Sequence, residues 1–271
     1  HPDRYKLLHP GNTPKSDYEW RLYGLHRAQE AGIDDVAIGA LFGLYDWKFE
    51  ILGLLNHALD MERVYGVGPH TVSFPRLEPA LNADITVNSP YLVSNSDFKK
   101  VVSIIRLMLP YTGMILTARE TPEFRKELIE LGCSQIDAGT KIGIGKYHDT
   151  KEDQEIDKQQ FTIFDTRSLD DVIRELLASG FIPSFCTGCY RLNRTGEAFM
   201  DVAKHGDIKY KCHPNAILTL KEFLLDYASD ATKEVGKVVI ERELTKEDNR
   251  LRKFLDDKLK DIDSGKRDIL C

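Results

Sequence analysis

The chain has 271 residues, 42% apolar and 30% charged, which suits one large or two smaller globular cores and excludes a disordered or low-complexity chain. Lys and Arg number 37 against 43 Asp and Glu, and the resulting net charge of −6 argues against sequence-independent binding to nucleic acid. No apolar run approaches the roughly 20 residues of a membrane span. The five cysteines are an odd number without a secretory signal, which points to a reducing, cytoplasmic setting rather than a disulfide scaffold. The first residues, His1-Pro2-Asp3, lack an initiator Met, and the beginning of the protein is expected to lie upstream.

The first half alternates between helical and strand periodicities. Ser16-Asp17-Tyr18-Glu19 reads as a capping box that opens a helix running to about Ala31 and stopped by Gly32. A short strand is expected over Val36–Leu41. A long helix follows from about Asp46 to Tyr65, with Phe49, Leu52, Leu55, Ala58 and Leu59 near helical spacing. Thr71–Phe74 reads as a strand, about Ser96–Leu109 as a helix, and about Met114–Ala118 as a strand. Thr121-Pro122-Glu123 caps another helix with Pro at its first position, and Ser134–Asp137 is a further short strand. This alternation predicts βαβ units and a parallel sheet. Three or four such units make half of an eight-stranded barrel or a small open sheet, and an isolated half-barrel would leave strand edges to be covered by a missing N-terminal half-barrel.

From Lys146 to Gln160 the sequence turns polar and reads as a linker. Helices are expected beyond it at about Leu169–Ala178, Gly196–Ala203, Ala216–Ala228 and Lys246–Ile262.

Cys186-Thr187-Gly188-Cys189 is a C-x-x-C motif, and Cys212 follows after 22 intervening residues. Three chemistries fit. A structural zinc site wants a fourth ligand, for which His205 and His213 are candidates, although His213 adjoins Cys212. A thioredoxin-like redox pair would leave Cys212 idle. A cubane held by three thiolates keeps one iron open to an outside ligand. Cys133 reads as a buried small side chain and Cys271 as a free thiol.

Three segments bear on that choice: Ala37-Ile38-Gly39-Ala40-Leu41-Phe42-Gly43-Leu44-Tyr45-Asp46, Ser73-Phe74-Pro75-Arg76-Leu77-Glu78-Pro79-Ala80, and Leu116-Thr117-Ala118-Arg119-Glu120. They resemble the late barrel strands of the aromatic amino-acid lyases among radical S-adenosylmethionine enzymes. The extra C-x2-C-x22-C resembles the branch of that family that matures FeFe-hydrogenases, and the thiamin-synthesis branch lacks it. The resemblance implies an α/β chain. Residues 1–145 form the C-terminal half of a (βα)8 TIM-type barrel, and residues 146–271 a mostly helical iron–sulfur cluster-binding domain.

The implied activity is a carbon–carbon lyase that cleaves L-tyrosine to p-cresol and a fragment converted to carbon monoxide and cyanide. Those products would be assembled on iron at an auxiliary 4Fe–4S cluster held by Cys186, Cys189 and Cys212. A labile fifth iron with a bound L-cysteine would take His57 as a ligand. Arg119 with Thr117 would hold the tyrosine carboxylate. Arg76 would bind tyrosine or the methionine part of S-adenosylmethionine, and Gly39 and Gly43 would admit the nucleoside.

The C-x3-C-x2-C motif of the radical-generating cluster does not occur among these cysteines. S-adenosylmethionine and that second 4Fe–4S cluster are therefore expected mainly on the missing N-terminal part, and this chain alone is expected to be inactive. Other hydrogenase maturation proteins are the implied partners, with neither nucleic acid nor membrane involved. Two further readings stand beside this one: a 2-iminoacetate synthase of thiamin synthesis with a merely structural metal, and a non-catalytic metal-binding scaffold.

Overall fold

The computed structural model describes residues 1–143 and 159–271. The expected linker and the domain boundary after residue 145 lie outside the described residues, except for the linker's last two positions. The chain divides into two compact units, His1–Thr166 and Arg167–Cys271.

In the first unit the elements run α1 (Pro2–Leu8), α2 (Tyr18–Leu22), α3 (Gly24–Glu30), β1 (Ala37–Gly39), α4 (Trp47–Tyr65), β2 (Thr71–Ser73), α5 (Ile85–Asn88), α6 (Asn95–Met108), β3 (Gly113–Leu116), α7 (Pro122–Glu130) and β4 (Gln135–Ile136). The strands form one parallel sheet in the order β1-β2-β3-β4, with Ile38 beside Val72 and Val72 beside Met114. Each crossover carries a helix, as parallel pairing demands, and the fold is α/β, matching the C-terminal part of a barrel.

Burial alternates along the strands. Ile38, Val72, Met114 and Leu116 are buried against Ile51, Leu54 and Ala58 of α4, Val101, Val102 and Ile105 of α6, and Phe124 and Leu128 of α7. The opposite face carries the small residues Ala37, Gly39, Ser73 and Gly113, exposed or half-buried. That pattern fits strands covered by helices on one side and by a separate interior on the other.

Two local expectations change. Asp17, not Ser16, caps α2, accepting the Trp20 amide at 2.9 Å. Ser16 instead closes a turn onto Thr13, and the expected single helix is broken at Tyr23 into α2 and α3. In α4, Phe49, Leu52 and Leu59 are exposed, and the core face is Ile51, Leu54, Ala58 and Met61. The helix is apolar on two sides, so periodicity alone could not choose which side meets the sheet.

The second unit is helical: α8 (Leu169–Ala178), α9 (Gly188–Arg191), α10 (Gly196–Lys204), α11 (Lys209–Asp226), α12 (Asp230–Leu244) and α13 (Asn249–Asp263). Its core joins Ile173 and Leu177 to Ile217, Leu220, Phe223, Ile240, Leu255 and Ile262. Helix α12 has no counterpart in the sequence reading. Helix α11 begins before the expected Ala216 and holds Pro214 inside it. A proline lacks the amide that a helix interior uses, which hid this first turn.

Candidate functional site

At the C-terminal ends of the strands, the β1–β2 pairing continues past the sheet as a bridge between Phe42 and Arg76. Arg76 Nε and Nη2 donate to the two oxygens of Glu120 at 2.9 and 2.6 Å; Nη1 donates to Val93 O, and Nη2 also to Asn95 Oδ1. Its guanidinium lies over the neighbouring rings of Phe98 and Phe124, 4.9 and 5.3 Å from their centroids. Glu120 is 3% exposed. A bidentate, stacked arginine of this kind holds structure, and its donors are already committed.

Arg119, on the turn after β3, is different. Its guanidinium lies 3.5 Å over the Phe161 ring, and among the described residues its one side-chain hydrogen bond is a long 3.4 Å contact to Arg76 O. Burial lowers its pKa, while Glu78, Glu120 and Asp137 act the other way. Glu78 carries the converse imbalance. Burial, then the charge of Glu120, push its carboxyl up to about 7 against the pull of Arg76 and Arg119. Its contact with Arg76 Nε is 3.7 Å, too long for a hydrogen bond. Thr117 is half-buried one turn before.

The two glycines have backbone reasons. A Cβ on Gly39 would stand 2.7 Å from Ser73 O, and Gly43 has φ +103°. Gly39 also lines a cleft of about 610 Å³ together with His26, His57 and Asp60.

His57 stacks on His26 with ring centroids 5.2 Å apart and planes 11° from parallel. His26 Nε2 is paired with Asp60 at 3.0 Å, whereas His57 Nε2 is buried and has no hydrogen-bond partner among the described residues. Burial, then His26, lower the His57 pKa. A neutral imidazole with an orphaned nitrogen has the form a metal ligand requires.

In the second unit, Cys189 lies on α9 and Cys212 in the first turn of α11. The Gly188 amide donates to Cys186 Sγ at 3.2 Å. Cys212 is exposed, yet the surrounding protein, then Cys189 and Cys186, raise its thiol, so the three sulfurs share one neighbourhood. Among the described residues no three His, Cys, Asp or Glu side chains converge on a single-ion site. Zinc would draw its sulfurs to about 3.8 Å from one another, given Zn–S bonds of about 2.3 Å. A cubane gives each thiolate its own iron and can be held by three of them.

His213 is held between Glu243 Oε2 at 2.9 Å and Glu247 Oε1 at 2.5 Å, and His205 Nδ1 contacts Asp201 O. The Cys271 amide donates to Oδ1 of Asn215, a buried residue one turn beyond Cys212. Cys133 is buried in the first core, its thiol pushed up to about 12 by desolvation.

Sequence reasoning quoted Glu78 without giving it a role, and it missed His26 and Phe161. The signal for Glu78 was an acidic residue two positions beyond Arg76 at a strand end. His26 and Phe161 reach their partners only through tertiary contacts.

Comparison with known proteins bears on these arrangements. Residues 73–182 match the Biotin and Thiamin Synthesis associated domain. The 2-iminoacetate synthases of Salmonella typhimurium and Escherichia coli are 32% and 31% identical over 170 residues, 62% of this chain and 43% of theirs. A crystal structure of HydG, a maturase of the [FeFe]-hydrogenase, is 48% identical with a TM-score of 0.94, covering 100% of this chain and 58% of that one. HydG from Carboxydothermus hydrogenoformans is 39% identical with a TM-score of 0.77, covering 96% of this chain and 55% of that one. The chain thus spans about half the length of these relatives. Among the described residues no helix is long and apolar enough to cross a membrane.

Proposed function

From the premise that the chain corresponds in sequence and fold to the C-terminal part of a HydG-type radical S-adenosylmethionine enzyme, we propose that it belongs to a cytoplasmic tyrosine lyase of hydrogenase maturation. The second unit would hold an auxiliary 4Fe–4S cluster on Cys186, Cys189 and Cys212. When bound, such a cluster supplies an open iron on which small ligands can be collected. His57, with its buried free nitrogen, would ligate a labile fifth iron that also carries L-cysteine. In the first unit Arg119 would take the tyrosine carboxylate with Thr117 beside it, and Arg76 would act by positioning Glu120 and the β2 end. S-adenosylmethionine and the radical-generating cluster would sit mainly on the remainder of the enzyme, which HydG chains possess beyond the 58% that this chain covers.

The observation that carries this reading is the C-x2-C-x22-C set, whose three thiols share one neighbourhood in a chain 48% identical to HydG throughout. The thiamin-synthesis alternative keeps its support from the 2-iminoacetate synthases. The two separate in the full-length enzyme after anaerobic reconstitution. The expected result is about eight iron and eight sulfide from two cubanes, with p-cresol, carbon monoxide and cyanide from L-tyrosine, and loss of one cubane in Cys212→Ala. The expected fifth-iron electron paramagnetic resonance signal should vanish in His57→Ala. Zinc without added sulfide at the cysteines, or p-cresol without carbon monoxide and cyanide, would overturn the maturase reading.

A further inference from the structure

Glu78 and Arg119 are opposite charges that both neighbour Arg76 and, among the described residues, make only long polar contacts, Glu78 to Arg76 Nε at 3.7 Å and Arg119 to Arg76 O at 3.4 Å. Arg76, the nearest cation to Glu78, has Nε already given to Glu120 at 2.9 Å, so its 3.7 Å approach to Glu78 supplies no hydrogen bond. Arg119 lies over the Phe161 ring and donates weakly to one carbonyl. Each of the two feels the other's charge, yet among the described residues they form no ion pair. The Glu78 side chain is only 13% exposed. Desolvated opposite charges normally pair unless something belongs between them. Both follow strand ends, Glu78 after β2 and Arg119 after β3, where barrels bind their substrates.

We infer that Glu78 binds the ammonium group of the amino-acid substrate while Arg119 binds its carboxylate, the two residues together selecting an α-amino acid over a plain carboxylic acid. This rests on the tyrosine-lyase reading for the identity of the ligand. The zwitterion brings one positive and one negative group joined through a single carbon, which answers both weakly held charges at once. The guanidinium offers a planar fork suited to a carboxylate, and Phe161 fixes the plane of that fork from one side. The Glu78 carboxyl, held near 7 when the site is empty, gains its charge fully once a cation lies against it. Arg76 and Glu120 form the rigid bar beneath, keeping the second carboxylate out of competition.

The test uses the full-length, reconstituted enzyme and two radiolabelled probes in equilibrium dialysis. They are L-tyrosine and 3-(4-hydroxyphenyl)propanoate, which keeps the ring and carboxylate and lacks the amine. Glu78→Gln is expected to weaken L-tyrosine about 10- to 100-fold, the size of one charged hydrogen bond, and to leave the amine-free acid within about two-fold. Arg119→Lys should weaken both. Unchanged binding of the propanoate also reports that the Glu78→Gln site is intact. Equal weakening of both probes by Glu78→Gln, or no change in either, overturns the inference. Full-strength binding of both probes by Arg119→Lys instead sinks the assignment of Arg119. Failure of the native enzyme to bind L-tyrosine sinks the tyrosine-lyase reading itself.

Discussion

The side chain of Glu243 is 4% exposed and gathers three partners: the cations Arg242 at 2.6 Å and Lys246 at 2.8 Å, and the His213 ring at 2.9 Å. Burial by itself raises such a carboxyl, but the hydrogen bonds from Lys246, Arg242 and His213 outweigh it and hold it at about 2. Because the folded value lies below the ordinary 4.5, the group stabilises the fold above pH 4.5 and loses that contribution as pH falls through about 2. The shift corresponds to at most ~3 kcal/mol. In urea unfolding at a series of pH values, Glu243→Gln should be less stable than the native protein at pH 6, and the gap should narrow from pH 4.5 downward. A gap independent of pH would mean that packing, not charge, gives Glu243 its role. The same network engages both ring nitrogens of His213, the residue next to Cys212.

At the scale of elements, glycines separate packing from ligand-driven explanations. In β1, a methyl group on Gly39 meets the Ser73 carbonyl at 2.7 Å, and a backbone carbonyl inside a parallel pair cannot swing aside. In α4, a methyl on Gly53 meets nothing within 4 Å. Gly39→Ala should therefore destabilise the first unit by ~1–3 kcal/mol through overpacking. Gly53→Ala should stabilise it by ~0.5–1 kcal/mol through lower unfolded-state entropy. Thermal unfolding followed by circular dichroism reads both, and a neutral Gly39→Ala would leave ligand approach as the reason for that glycine. The cap of α7 was legible without the structure, unlike that of α2: Thr121 accepts the Phe124 amide, and α7 begins at Pro122 as its sequence implies. The start of α11 was not, because Pro214 reads as a break and only the packing of Ile217, Leu220 and Phe223 sustains the helix through it.

At the scale of the whole molecule, each unit has its own apolar core. A fragment of residues 167–271 is therefore expected to be helical and to unfold cooperatively, with the m-value of a domain of its size, in a chemical denaturation experiment. A noncooperative, featureless transition would mean that this unit depends on contacts outside itself. The sequence alone determined the α/β alternation, the parallel sheet and the C-x2-C-x22-C set, because periodicity, caps and spacing are local properties of the chain. It also carried Arg76 and Arg119 to neighbouring strand ends. Only the tertiary structure distinguished the two arginines: Glu120 lies 44 positions from Arg76 in the chain and captures its guanidinium, while Arg119 lies over Phe161 and among the described residues donates one long bond, to Arg76 O. It likewise turned α4 so that Ile51 and Leu54 face the sheet, and buried His57 Nε2 with no hydrogen-bond partner among the described residues. These are pairings between residues far apart in sequence, and pairing energies of that kind have no local signature to read.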